Sequence, residues 1–149
     1  LCDMQGPKIR IGSFLNDMKI DLLENDSFVL NSQIGVESGD QNGVHIDSDL
    51  LNDIDSGDTL LLDDGRMTFI VESRNPHSVT CRVVQGGVLS SKKGVNKFGG
   101  GLSAPALTEK DKADIKTAAS LKTDYLAISF VRSKDDIEET RALLVAAGS

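Results

Sequence analysis

Polar and apolar residues alternate with period two through the middle of the chain and recur with a period near 3.6 toward its end. Val79, Cys81 and Val83 alternate with Thr80 and Arg82, the pattern of a strand with one buried face. Aliphatic and β-branched runs at 18–23 and 27–30 are bounded by Asn25-Asp26 and Asn31-Ser32, whose side chains favour turns. Asp64-Gly65, between runs at 59–63 and 66–72, predicts a two-residue hairpin, because Asp-Gly suits the primed turn that matches strand twist. Residues 33–42 carry no clear period, and Gln85-Gly86-Gly87 turns the chain. Short strands at this spacing predict a small all-β barrel or sandwich.

After residue 101 the pattern becomes helical. Thr108 is placed as an N-cap with Glu109 and Asp111 in the first turn, and Ile115, Ala118 and Ala119 share one face. The apolar run at 125–130 predicts a buried parallel strand. Ser133 caps a second helix that begins with Asp135 and Asp136, carries Ile137, Arg141 and Leu144 as a stripe, and stops at Gly148. Helix, strand, helix is α/β grammar, and residues 1–12 read as the end of a strand entering a turn at Gly6-Pro7. The expected fold class is therefore mixed: an all-β small barrel at 13–101, inserted into a partial α/β scaffold formed by 1–12 and 102–149.

Composition narrows the partners. With 39% hydrophobic residues, 149 residues can form a core. Aromatics at 4%, no Trp and a net charge of −7 argue against nucleic acid, which asks for stacking platforms and positive charge. Cys2 and Cys81 are too few for a disulfide framework and lack metal-ligand spacing, which fits a reducing, cytoplasmic setting. No run approaches the ~20 apolar residues of a membrane span, so no membrane partner is expected, and no signal-peptide pattern opens the chain. An opening on Leu1 rather than Met suggests a piece of a longer protein.

The candidate chemistry lies at 90–101, where three lysines and four glycines fall together. Gly94 and glycines 99–101 could adopt φ > 0 and bring backbone N–H groups to phosphate oxygens, with Lys92, Lys93 and Lys97 as mobile point charges; the competing reading is a solvated connector. If the loop is extended, Lys92 and Lys93 face opposite sides. Asp63 and Asp64 form a carboxylate pair, but neighbours in a hairpin turn point apart, which disfavours acid–base chemistry. His45 and His77 lack companions at ligand or triad spacing and read as surface histidines. On turn chemistry alone Asp3 is a capping group and Arg10 a solvated strand residue.

Five motifs, taken together and in order, change those readings. Asp-x-x-Gly-Pro-x-Ile-Arg at 3–10, Leu-Asp-Asp-Gly at 62–65, Ser-Lys-Lys-Gly-Val-Asn at 91–96, Leu-Thr-Glu-Lys-Asp at 107–111 and Ser-Phe-Val-Arg at 129–132 resemble pyruvate kinases in sequence and spacing. The resemblance implies a TIM-barrel scaffold in which 1–12 ends the third strand and 102–149 supplies a helix, the fourth strand and the next helix, with 13–101 as a mobile β-barrel lid. It implies phosphoryl transfer from phosphoenolpyruvate to ADP, giving pyruvate and ATP, with Mg2+ and a homotetrameric parent.

Residue by residue, Arg10 and Lys93 match nucleotide- and phosphate-binding positions, and Asp64 matches the lid face. Asp3 and the Met4 carbonyl match ligands of a monovalent cation, K+. Lys8 stands where potassium-dependent members carry glutamate, which implies that K+ is dispensable here. Lys97-Phe98-Gly99 replaces the family's Leu-Pro-Gly, which implies a looser hinge. No catalytic residue is expected within the chain: the family's metal ligands and proton-transfer group fall beyond Ser149, and an Arg-Asn-Ser motif falls before Leu1. The fragment alone is therefore expected to be inactive. The competing class is a non-enzymatic small β-barrel binding module.

Overall fold

A computed structural model describes residues 1–149. The chain divides into two compact units, one made of Leu1–Lys8 with Ala104–Ser149 and the other of Ile9–Ser103. A β unit is thus inserted into an α/β unit. The β unit begins at Ile9, ahead of the expected boundary at 13, because Ile11 is buried and its N–H donates to the Lys93 carbonyl, while the Gly12 N–H donates to His45.

In chain order the elements are β1 (Cys2–Met4), a 3-10 turn at Leu15–Asp17, β2 (Ile20–Leu22), β3 (Ser27–Asn31), β4 (Gly43–His45), α1 (Ser48–Leu51), β5 (Thr59–Leu62), β6 (Met67–Asn75), β7 (Ser78–Gln85), β8 (Gly87–Leu89), β9 (Val95–Lys97), α2 (Glu109–Ser120), β10 (Leu126–Ile128) and α3 (Lys134–Ala146). The β unit holds a six-stranded sheet in the order β4-β3-β7-β6-β5-β9 and a two-stranded β2-β8 ladder. Both contribute to one core. Phe28 of β3 and Phe69 of β6 meet edge to face at its centre, with ring centroids 5.9 Å apart, a favoured aromatic geometry. Register shifts interrupt the β6–β7 ladder at Thr68/Phe69 and Val71/Ser73, which bends the strands.

The hairpin at Asp64-Gly65 forms, but four residues, 63–66, connect Leu62 to its partner Met67 instead of the two expected. Asp64 and Gly65 take φ of 56° and 81°, and the Arg66 N–H closes the turn on the Asp63 carbonyl. Asp63 also has positive φ, 53°, so β5 stops one residue early at Leu62. Residues 33–42 return the chain so that β4 lies parallel to β3 in an otherwise antiparallel sheet. Neither β4 nor α1 is signalled by local pattern.

In the α/β unit, Thr108 and Ser133 form capping boxes with Asp111 and Asp136. β1 and β10 pair in parallel, with Cys2 opposite Leu126 and Met4 opposite Ile128. The 125–130 run is not fully buried: β10 is half-buried, Tyr125 is 73% exposed and Phe130 39%. The α3 stripe also departs from expectation. Thr140 is its buried residue, Leu143 and Leu144 pack on the core, and Arg141 faces solvent.

Candidate functional site

Residues 90–101 do not behave as one mobile basic loop; their three lysines occupy three different environments. Lys92 is exposed, with a positive φ of 60°, so the loop is not extended there. Lys93 Nζ lies 3.4 Å from Asp63 Oδ1. Lys97 is pinned, with Nζ 2.9 Å from Asp58 Oδ2 and donating to the Asp53 carbonyl at 2.9 Å. Asp58 in turn is held below the ordinary carboxylate range, first by the Asp55 N–H it accepts and then by Lys97, against the opposing effect of burial.

The segment beside Lys97 is also hydrogen-bonded to the β unit. The Phe98 N–H donates to the Thr59 carbonyl, and Asp53 accepts from both the N–H and the hydroxyl of Ser103, at 2.8 and 2.6 Å. Glycines 99–101 do take positive φ, as predicted, but Gly94 does not. Instead Gly94 forms an antiparallel bridge with Arg10.

That bridge brings two of the expected site residues together. The Ile11 N–H donates to the Lys93 carbonyl at 3.0 Å and the Val95 N–H to the Ile9 carbonyl at 2.9 Å, so Arg10 and Lys93 leave neighbouring backbone positions although they lie far apart in sequence. An Arg10 Nη1 donates to the Lys92 carbonyl at 2.8 Å, which leaves the other guanidinium donors free. Asp64 is exposed at the hairpin tip. Asp63, which sequence reasoning set aside, is the carboxylate that meets the lysine. Local pattern could not have assigned it, because the contact joins two turns about thirty residues apart.

The α/β unit holds the other expected site residues. Asp3 Oδ1 accepts from the Ser129 hydroxyl at 3.3 Å, and Met4 is buried beneath it in the strand. Asp3, Ser129 and the Met4 carbonyl are hard oxygen donors, a chemistry suited to a hard cation. Lys8 is exposed and forms no ion pair. The turn that carries these residues is clamped by Asp111, whose Oδ1 accepts from the Gly6 N–H at 3.1 Å and whose Oδ2 accepts from the N–H and hydroxyl of Thr108. Burial pushes the Asp111 carboxyl up, but these hydrogen bonds and nearby Lys110 outweigh it and hold the group below its ordinary value. Gly6 tolerates no side chain: its φ is 66°, and a Cβ there would lie 2.2 Å from the Phe130 ring.

No group of three or more His, Cys, Asp or Glu side chains is gathered to hold a metal ion, so these residues do not by themselves fit a Mg2+ site. His45, read as a surface residue, is mostly buried; its Nδ1 lies 2.8 Å from the Ile34 carbonyl and its Nε2 3.4 Å from Asp47. Cys81 is buried, and burial, with Glu72 adding to it, pushes its thiol up to about 12, which makes it unreactive.

Comparison with known proteins bears on both units. The family profile described as pyruvate kinase, barrel domain, matches residues 1–149. A pyruvate kinase of Haemophilus influenzae is 50% identical over 149 residues, covering 99% of this chain and 31% of the relative. One of Buchnera aphidicola subsp. Acyrthosiphon pisum is 48% identical over 150 residues, covering 100% of this chain and 31% of the relative. Plastidial pyruvate kinase 2 of Arabidopsis thaliana is 35% identical over 149 residues, covering 100% of this chain and 25% of its own length. The chain thus spans less than a third of the length of these curated relatives.

Proposed function

The chain belongs to the pyruvate kinase family, and from that premise we propose that residues 1–149 carry the lid and part of the nucleotide-phosphate site of an enzyme that transfers the phosphoryl group of phosphoenolpyruvate to ADP, giving pyruvate and ATP. The observation that supports this reading is the Arg10–Gly94 bridge, which brings the backbone of Arg10 beside that of Lys93 within one unit. In phosphoryl transfer the protein's main work is to position phosphate oxygens and neutralise the charge they develop. Arg10 supplies a planar fork whose orientation is fixed by the Lys92 carbonyl, and Lys93 supplies a compact charge on a movable stem. Asp64 stands on the lid face.

Mg2+ would neutralise phosphate charge in such an enzyme; its ligands, like the catalytic groups, are assigned to parts of the enzyme outside these 149 residues. Asp3 and the Met4 carbonyl are the candidate K+ ligands. The Lys8 ammonium carries the same charge as K+, so we assign it the ion's electrostatic part and expect potassium to be dispensable. A cytoplasmic setting rests on the two unpaired cysteines, and a homotetrameric parent on family likeness. Two parallel strands, β1 and β10, cannot close a barrel, so the isolated fragment is expected to be inactive.

The test is Lys93→Ala in the full-length kinase. It should lower kcat at least tenfold, a loss of about 1.4 kcal/mol of transition-state stabilisation, while Lys92→Ala acts weakly. Equal effects of the two substitutions would replace a specific contact with diffuse electrostatics.

A further inference from the structure

We propose that Asp63 is a positioning residue for Lys93, holding the ammonium at the hairpin tip so that it presents its remaining donors to the transferring phosphate. The inference rests on the reading of Lys93 given above and adds a residue that the family resemblance did not mark.

Asp63 is well placed for this. Its backbone is held on both sides: its N–H donates to the Gly94 carbonyl and its carbonyl accepts from Arg66, both at 3.1 Å. The hairpin turn is thereby fastened to the residue that follows Lys93. The carboxylate is the sheltered member of the pair, 15% exposed against 37% for the lysine side chain. A sheltered anion on a tethered backbone thus faces a half-open cation.

The environments of the three lysines give the contact its meaning. Lys97, with two partners at 2.9 Å, is committed to structure. Lys92 is exposed, and nothing directs it. Lys93 alone has one partner at the long distance of 3.4 Å. A single long contact restricts the rotamers of a lysine yet leaves two of its three N–H donors for a ligand. Asp64, exposed beyond the turn, cannot substitute.

The expected kinetics differ from those of a merely structural residue. Asp63 brings negative charge close to an anion site, so its loss does not weaken ground-state nucleotide binding. What is lost is the alignment of Lys93 in the transition state, which lowers kcat without raising KM. Asparagine is the suitable replacement because it tolerates positive φ and preserves the turn.

The experiment uses the full-length kinase with ADP and phosphoenolpyruvate, comparing wild type, Asp63→Asn, Asp63→Glu, Lys93→Ala and the Asp63→Asn/Lys93→Ala double variant. Asp63→Asn should lower kcat about tenfold with KM for ADP unchanged or lower and an unaltered melting temperature, and Asp63→Glu should restore part of the rate. In the Lys93→Ala background Asp63→Asn should have no further effect, the signature of two residues acting through one contact. If Lys93→Ala slows the enzyme but the Asp63→Asn loss simply adds to it, or if Asp63→Asn raises KM or leaves kcat unchanged, the positioning role is overturned and the reading of Lys93 stands. If Lys93→Ala itself leaves kcat unchanged, the reading of Lys93 fails and this inference falls with it.

Discussion

In the β unit a continuous cluster of buried side chains runs from Ile11 to Val95, with Phe28 and Phe69 against each other. In the α/β unit the buried cluster is Met4, Leu107 and Ile115, and the side chains packed on it remain partly exposed. The second unit holds its remote segments together with a polar clamp instead: Asp111 accepts from Gly6, 105 positions away, and from Thr108 beside it. One unit is thus governed by apolar burial, which does not titrate. The other leans on a carboxylate that does.

The largest effect should come from the apolar core. Phe69→Ala should destabilise the β unit by about 3–5 kcal/mol, read as a lower urea midpoint, and should leave the pH dependence of stability unchanged. A change in pH profile would break the contrast. Next comes the clamp. Asp111→Ala leaves the buried Gly6 N–H and the part-buried Thr108 N–H without their acceptor and should cost about 1–3 kcal/mol, seen as faster hydrogen exchange at Gly6.

The clamp also predicts a direction with pH. The Asp111 carboxyl is held below its ordinary value in the folded chain, so its contribution is complete above about pH 4, the unfolded value, and is lost as pH falls through the lower folded value. Melting curves of wild type and Asp111→Asn should therefore converge in acid and separate toward neutrality; a constant gap would dissolve the contrast. The smallest effect should be that of Asp58→Ala. It releases Lys97 from a partly exposed pair and should cost about 1 kcal/mol or less, detectable as raised mobility of glycines 99–101.

Elements set by neighbouring residues were legible in the sequence. The Asp-Gly turn, the Thr108 and Ser133 caps and the parallel strand at 126–128 each follow from a short local signal. Residues 33–42 were not legible, because their path is set by distant backbone. A Cβ on Gly39 would lie 2.7 Å from Val44, and one on Gly43 2.6 Å from the Val29 carbonyl, so these glycines serve close approach rather than a turn. Charge alone likewise could not distinguish Lys97, pinned by Asp58, from Lys93 or Lys92. Asp111 was readable as a helix-capping residue, but its hold on Gly6 is long-range. The motifs at 3–10 and 91–96 named Arg10 and Lys93, whereas their meeting on one bridge required the folded sheet.

The Ile9–Val95 hydrogen bond, at 2.9 Å, also sets an order of events in folding. Joining Gly6 to Asp111 in an unstructured chain means closing a loop of 105 residues. Once residues 9–95 are folded and tied at their ends, only about 20 residues remain to be ordered, which lowers the closure cost by about 1.5 kcal/mol. The inserted unit is therefore expected to fold first, as a splice that shortens the chain around it, and refolding of β1 onto β10 should lag behind formation of the β6–β7 hairpin.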